Sequence, residues 1–194
     1  MLNDEPSTIA AWQRGDEQAV RAVFDGCYPR AVRLAALSGL AHDEAQDCAQ
    51  EAFLTAFRRR EQLRDVKAFP LWFHRILTHA ILDTLGARRT DRQTSLDAVG
   101  ELSEDWQRRR PPLPDEVLLR AERRELLWER VQALPPRYRV PLALRYYGEF
   151  SIREVATLLE TSEGAMRVTL HRALNALRQQ AAPLAAHEHS TPLP

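Results

Sequence analysis

The chain has 194 residues, of which 44% are hydrophobic, and its 27 basic residues balance 27 acidic ones. This composition can bury a core and excludes a uniformly basic nucleic-acid coat. No apolar run approaches the ~20 residues that span a bilayer, and the segment Met1 to Ala11 lacks the pattern of a secretory signal. Cys27 and Cys48 are therefore expected to be reduced thiols in a cytoplasmic protein, without a disulfide scaffold or a CxxC zinc site.

Helical periodicity extends over most of the chain, and the few glycines and scarce β-branched runs argue against a sheet. The predicted fold class is all-α, with a first block of helices from about Thr8 to Thr90. One amphipathic helix is predicted from the spacing of Ile9, Trp12, Ala19, Val23 and Phe24. A second is predicted from Tyr28 to Leu40.

The clearest helical pattern runs from Asp43 to Arg60. At 100° per residue one face is small and apolar, and it consists of Ala45, Cys48, Ala49, Ala52, Phe53, Ala56 and Phe57. The opposite face carries Asp47, Gln50, Glu51 and Leu54. A stripe with two carboxylates is either an ordinary solvated face or a docking surface for a basic partner.

The next helix is predicted to start near Pro70 and to run towards Gly86, a plausible C-terminal breaker. From Thr90 to Pro114 the helical pattern fails in a stretch with Gly100 and three prolines. So long a connection is unusual inside one compact domain. The chain is therefore predicted to form two small helical domains, residues 1–92 and 115–180, with a long flexible linker at 93–114 and a disordered tail at 181–194.

The second domain is predicted to start with a helix from Asp115 to Ala133, which Leu134-Pro135-Pro136 breaks. A further helix is expected from Arg137 to Tyr147, and Pro141 should kink it or delay its start.

Two short helices joined by a tight turn follow, as in a helix-turn-helix. Ser151 and Glu154 have capping-box spacing, and Ser162 is predicted to cap the second helix. The apolar face of that helix consists of Met166, Leu170, Ala173, Leu174 and Leu177. Its outer face carries Gly164, Val168, His171, Asn175 and Arg178, flanked by Arg167 and Arg172. This face suits the major groove of DNA, although a solvated bundle helix would show a similar pattern.

Three segments carry a resemblance to a known family. Ala45-Gln-Asp-Cys-Ala-Gln-Glu-Ala-Phe-Leu54 is similar to the AEDxxQExFL motif of sigma region 2, and Phe69-Pro-Leu-Trp-Phe-His-Arg-Ile76 is similar to its AWLYRI segment. Ala133-Leu-Pro-Pro-Arg137, Ser151-Ile-Arg-Glu-Val-Ala156 and His171-Arg-Ala-Leu174 are similar to region 4. The ordered set resembles a bacterial RNA polymerase sigma factor of the extracytoplasmic-function (ECF) group.

The resemblance implies an alternative sigma factor that binds core RNA polymerase, directs it to specific promoters and helps to melt the minus-ten element. It implies that Asp47, Gln50 and Glu51 dock on the clamp helices of the largest polymerase subunit, and that the flap of the second-largest subunit is another contact. It also implies a monomer in the holoenzyme and an anti-sigma partner that masks these faces.

The resemblance also assigns residues to the minus-ten element. The loop from Arg64 to Phe69 matches the one that captures an unstacked base, through Lys67 and Phe69; Phe69 could equally be a core residue. Trp72, Arg75, Thr78 and His79 follow on the helix that lines the path of the melted strand, where His79 stands in place of the usual Asn. Trp72 is expected to be a core residue rather than a base wedge. Arg88, Arg89 and Arg92 would meet the upstream duplex backbone.

In region 4 the usual GTVxSR is replaced by Gly164-Ala-Met-Arg-Val-Thr169. The implied minus-thirty-five reading residues are Arg167, Val168, His171 and Arg172. Because Val168 and Thr169 depart from the pattern, the promoter sequence is expected to differ from that of other members.

Two other functional classes compete with a sigma factor as explanations of the sequence. A helix-turn-helix regulator with an N-terminal sensory domain would need neither the polar stripe nor the long linker. An enzyme is not expected, because the sequence has no phosphate-binding glycine loop and no HExxH motif, and His74 and His79 do not share a helix face. Neither a cofactor nor a bound metal is expected.

Overall fold

The computed structural model describes residues 5–94 and 129–185, and within these ranges the regular secondary structure is entirely helical. The helices are α1 (Pro6–Gln13), α2 (Glu17–Leu37), α3 (His42–Arg58), α4 (Phe69–Thr94), α5 (Pro136–Leu142), α6 (Ile152–Leu158) and α7 (Glu163–Ala185). Residues 129–133 are also helical. Most of the predicted linker, the start of the predicted helix at Asp115 and residues 186–194 of the predicted tail lie outside the described residues. The tail prediction is wrong for residues 181–185, which continue α7.

The first two helices do not divide where the sequence pattern predicted. Gly15, with a φ of 85°, separates α1 from α2, and the carboxylate of Asp16 caps α2 by accepting a hydrogen bond from the Ala19 amide at 2.9 Å. Helix α2 then continues from Glu17 to Leu37, through the boundary that was predicted between Phe24 and Tyr28, and it contains Pro29. Proline removes one helical hydrogen bond, but the burial of Cys27, Ala31 and other residues on both sides keeps the segment helical.

An aromatic cluster lies at the centre of the N-terminal helices. The indole of Trp12 is 2% exposed, and its ring lies 5.2 Å from that of Phe69 in an edge-on arrangement. Phe73 packs against Phe53 with a ring separation of 4.5 Å. The predicted apolar face of α3 is confirmed, because Ala45, Cys48, Ala49, Ala52, Phe53 and Ala56 are all buried.

Helix α4 starts at Phe69, as predicted, but continues past Gly86 to Thr94. A glycine inside a helix costs about 1 kcal/mol, which is too little to end a helix that is held by its neighbours. Near this point Arg88 forms an ion pair with Glu44 of α3 and donates a hydrogen bond to the carbonyl of Gly39. These contacts hold the second half of α4 to the α2–α3 junction.

The break at Leu134-Pro135-Pro136 is confirmed, and α5 starts at Pro136. Pro141 lies inside α5, and a π-helical turn (Ala143–Tyr147) follows at once. The Gly148 amide bonds to the Ala143 carbonyl at 2.9 Å, five residues back. The irregularity that was expected of Pro141 is therefore a π-turn that directly follows its helix.

The helix caps that were predicted for the helix-turn-helix are confirmed. Ser151 and Glu154 form the predicted capping box at α6, and the Ala165 amide donates to the Ser162 hydroxyl at 3.2 Å at the start of α7. Between the two helices Glu160 adopts a left-handed φ of 51°. On the inner face of α7 the predicted apolar residues Met166, Leu170 and Ala173 are buried.

The helix-turn-helix packs directly on the N-terminal helices, with α6 against α4 and the π-turn against α2. The imidazole of His74 meets the ring of Phe150 edge-on at 4.8 Å. The guanidinium of Arg33 lies over the ring of Tyr147 at 5.5 Å. Contacts that join residues so far apart in sequence make the two parts one packed unit over the described residues.

Removal of a buried ring of the aromatic cluster should destabilise the fold more than removal of an exposed ring. Replacement of Trp12 by alanine should lower the free energy of unfolding by about 3–5 kcal/mol, because it leaves a cavity among packed rings. Tyr146→Ala removes a ring that is 61% exposed and should cost about 0.5 kcal/mol or less. Urea denaturation of both variants measures the difference, and equal losses would contradict the assignment of Trp12 as a core residue.

Candidate polymerase and nucleic-acid interfaces

The acidic stripe on α3 is exposed, as the sequence pattern predicted. Asp47, Gln50 and Glu51 all face solvent, and Leu54 beside them is 44% exposed. The carboxylate of Glu51 accepts a hydrogen bond from the Thr55 hydroxyl at 3.1 Å. Because the other face of α3 is packed in the core, the stripe is presented on a rigid support, as a docking surface for basic groups requires.

A groove of about 880 Å³ separates this stripe from α4. Asp47 and Glu51 line one wall, Arg75 and His79 line the other, and Cys48 is among the residues between them. Burial, and secondarily the charge of Asp83, raises the pKa of the Cys48 thiol to about 11. The thiol is therefore protonated at neutral pH and contributes packing rather than reactivity.

The two candidate side chains of the loop that was predicted to capture a base differ in their exposure to solvent. Lys67 is exposed on a 3₁₀ turn (Val66–Ala68). Phe69 is fully buried and packs against Trp12 and Phe73, so its ring has no face left for a base. Of the two interpretations of Phe69, burial supports the core residue and contradicts the base contact. Thr78 is also fully buried, which contradicts its place along a DNA strand.

Arg75 and His79 are exposed on α4 and point to one carboxylate. The Arg75 Nη2 atom lies 3.2 Å from Oε1 of Glu160, and the His79 Nε2 atom lies 3.4 Å from the same oxygen. Glu160 belongs to the turn of the helix-turn-helix and was predicted only as a turn residue. No sequence signal relates it to residues more than 80 positions earlier.

The arginines predicted to meet the upstream duplex divide into two groups. The guanidinium of Arg88 is engaged by Glu44 and by the Gly39 carbonyl, as described above. Arg89 and Arg92 belong to α4, but their side chains lie outside the described residues. The contacts of Arg88 support a structural role, and its role towards DNA stays a prediction.

The outer face of α7 presents the four predicted reading residues. Val168 is 49% exposed, and Arg172 is exposed. Arg167 pairs with Glu163 at 2.5 Å, one helical turn earlier, and His171 shares a 2.9 Å hydrogen bond with Asn175. Thr169, where the family pattern has an arginine, is half-buried and donates its hydroxyl to the Ala165 carbonyl at 2.9 Å.

Comparisons with known proteins agree with both halves of this description. Residues 23–92 match the family model for Sigma-70 region 2, and residues 124–177 match the model for Sigma-70, region 4. The ECF RNA polymerase sigma factor SigE of Mycolicibacterium smegmatis is 30% identical over 196 residues, which cover 97% of this chain and 72% of the relative. The chain belongs to the ECF sigma factors.

Other relatives are similar over most of their length. SigW of Bacillus subtilis is 26% identical over 177 residues, covering 87% of this chain and 91% of the relative. The sigma-H factor of Pseudomonas aeruginosa is 29% identical, with 89% and 91% covered. A solved structure of CnrH in complex with the cytosolic domain of CnrY has a TM-score of 0.60 at 20% identity, and the match covers 95% of this chain and 99% of that one. It shares the fold.

This ECF factor is an alternative sigma factor that directs RNA polymerase in transcription initiation, with core polymerase and promoter DNA as its partners. The region 2 match accounts for the N-terminal half, which the alternative reading had assigned to a sensory domain. Sigma factors regulate and do not catalyse. Among the described residues no cluster of metal-ligating side chains occurs, and no described helix has the length and hydropathy to cross a membrane.

His74 lies partly buried between the two halves of the molecule, and its Nδ1 atom donates to the Pro70 carbonyl at 2.7 Å. Burial lowers the pKa of His74 below its ordinary value of 6.5; the hydrogen bond to Pro70 opposes this shift, and the charge of Arg30 adds to it. His74 and Glu149 both line a small cavity between the two halves. The imidazole is therefore neutral in the folded protein at neutral pH.

Stability should consequently fall when the solution is acidified through the ordinary histidine pKa. Below about pH 6.5 the unfolded chain binds a proton at His74 that the folded chain does not. The free energy of unfolding therefore falls as the pH is lowered, and the loss becomes constant once the pH is below the lower, folded pKa. When the pH is lowered from 7.5 to 5.5, the Tm of the wild type should fall further than the Tm of His74→Phe. The extra decrease should be about 2–4 °C for each kcal/mol of unfolding free energy that the wild type loses. Equal losses in thermal denaturation would contradict the neutral assignment.

Proposed function

We propose that Asp47, Gln50 and Glu51 form the surface through which this sigma factor docks on the clamp helices of the largest polymerase subunit. The observation that carries the proposal is the exposed acidic stripe on a helix whose other face is buried. Such a stripe attracts a basic partner over a distance and fixes its register on contact. Leu54 adds an apolar contact at the same surface.

In the proposed promoter complex, Lys67, Arg75 and His79 bind the minus-ten element and help to keep its melted strand apart. Arg75 and His79 are four residues apart and therefore lie on one face of α4, and both are exposed. Phe69 supports the loop from inside the core. Arg88 and Arg89 are proposed to lie towards the upstream duplex, where the phosphates attract arginine.

The proposed minus-thirty-five contact is made by α7 in the major groove. Arg167 and Arg172 supply hydrogen-bond donors for guanine or phosphate, Val168 an apolar contact for a thymine methyl, and His171 a further polar group. A region 4 contact with the flap of the second-largest subunit completes the proposed docking of a monomer in the cytoplasm. An anti-sigma partner is proposed as well, since the CnrH relative was solved together with the cytosolic domain of CnrY.

Simultaneous replacement of Asp47, Gln50 and Glu51 by alanine should weaken binding to core polymerase by about 10-fold or more, because the charge complementarity is lost. A pull-down with purified core enzyme measures this. The matched control is Glu17, Gln18 and Asp25 to alanine, which removes two carboxylates and one amide from exposed positions on α2. If the wild type fails to bind core enzyme, or if both triple variants lose it equally, the docking surface is wrong.

Arg167→Ala should relax the base preference at one position of the minus-thirty-five element, since a bidentate base contact is worth about 1–3 kcal/mol. The measurement is in vitro transcription by the holoenzyme from a promoter library with randomised minus-thirty-five bases. Arg178→Ala is the control, because it removes the same charge from an exposed position three turns along α7. A uniform loss over all sequences with Arg167→Ala would instead indicate a phosphate contact.

A further inference from the structure

Helix α7 has a single acidic residue, and that residue binds one of the proposed reading residues. Glu163 is the only acid in the sequence of α7, and its Oε1 atom accepts a hydrogen bond from Nη2 of Arg167 at 2.5 Å. The two residues are four positions apart and therefore share one face of the helix. Their side chains are 43% and 65% exposed, so the pair is accessible to a DNA groove.

The pair lies in the part of α7 that reads bases in a helix-turn-helix. In this motif the N-terminal residues of the second helix contact the base edges. Glu163 is the first residue of α7, and Arg167 starts its second turn. Arg167 also supplies the only guanidinium of these two turns, because Thr169 stands where the family pattern has an arginine. Base discrimination at this end of the helix therefore depends on the direction in which Arg167 points.

An unrestrained arginine in this place would be drawn to the DNA backbone. Duplex DNA carries one negative charge per about 1.7 Å of its axis, and a phosphate contact carries no sequence information. A carboxylate beside the guanidinium repels the phosphates and restrains the side chain through a charge-assisted hydrogen bond. Base edges carry no net charge, so the carboxylate disfavours the phosphate contact more than the base contact.

The second arginine of the reading face has no such restraint. Arg172 is exposed and forms no ion pair with any described residue. The structure therefore distinguishes a held arginine at the start of α7 from a free one further along the helix. An acid in the first turn also interacts favourably with the helix dipole, but that interaction does not involve Arg167 and would leave base preference unchanged.

From this contact we infer that Glu163 is a positioning residue for promoter recognition: it holds the guanidinium of Arg167 towards a base edge and away from the phosphates. The inference rests on the proposed role of Arg167 in reading the minus-thirty-five element. It makes the specificity of that reading depend on an acidic residue that itself need not touch DNA.

The test measures the base preference of the holoenzyme by in vitro transcription from promoters with randomised minus-thirty-five bases. Glu163→Ala should lower the preference at the position read by Arg167 by about 3- to 10-fold, because a base contact loses its fixed geometry. Glu163→Gln keeps an oxygen that can accept from the guanidinium and should retain more of the preference than alanine does. The control is Glu149→Gln, which removes an exposed carboxylate outside α7 and should match the wild type.

A double-mutant cycle separates positioning from a direct effect of the acid on DNA. In the Arg167→Ala background, Glu163→Ala should cause no further change in base preference. An equal change in both backgrounds would overturn the inference, and so would equal effects of Glu163→Gln and Glu163→Ala, because charge alone would then explain them.

The same experiment distinguishes failure of the inference from failure of the proposed function. If Arg167→Ala relaxes one position of the element while Glu163→Ala leaves it unchanged, only the positioning role is overturned. If Arg167→Ala leaves the base preference of the holoenzyme unchanged, the proposed reading role of Arg167 is wrong, and the positioning role is overturned with it.

Discussion

The close approach of α3 to its neighbours is the constraint on which the rest of the structure depends. Ala45, Ala49, Ala52 and Ala56 are buried, and their small side chains let α2 and α4 pack tightly against one face of α3. Close packing of this kind tolerates little rearrangement. It therefore fixes the direction of the opposite face, so that the acidic stripe and the groove beside it are presented rigidly to a partner.

Helix α4 connects this core to the face that is proposed to bind nucleic acid. On its inner side Phe69, Phe73, Leu77 and Ile81 are buried, and on its outer side Arg75 and His79 are exposed. The same helix thus anchors the domain and carries the residues proposed to meet the melted strand. This dual use explains why Phe69 and Thr78, which lie between candidate DNA contacts in sequence, have purely internal positions.

The arrangement of the two halves gives the helix-turn-helix two surfaces with different uses. The outer face of α7 is exposed and available to duplex DNA, while the turn at Glu160 and the ring of Phe150 are directed to α4. Family membership establishes that the chain works with core polymerase and promoter DNA. The packing of its halves adds that Arg75 and His79, which are proposed to bind the minus-ten element, contact Glu160 of the helix-turn-helix.

Local chemistry made much of this predictable. The 3.6-residue period identified the buried and exposed faces of α3 and α7, and side-chain caps at Ser151 and Ser162 marked helix starts, because both effects act within a few residues. Where propensity competed with packing, prediction was wrong: helix boundaries were expected between Phe24 and Tyr28 and at Gly86, yet α2 and α4 continue through these positions because neighbouring side chains are buried.

The sequence by itself thus determined the helical class, the polar stripe at Asp47, Gln50 and Glu51, and the exposed outer face of α7, since periodicity and capping are encoded locally. Only the tertiary structure decided that Phe69 is a core residue and that Glu160 meets Arg75 and His79. The position of Phe69 depends on which rings close around it, and the contact between Arg75 and Glu160 joins residues 85 positions apart. A contact at such separation is set by how helices pack against one another, which no local pattern contains.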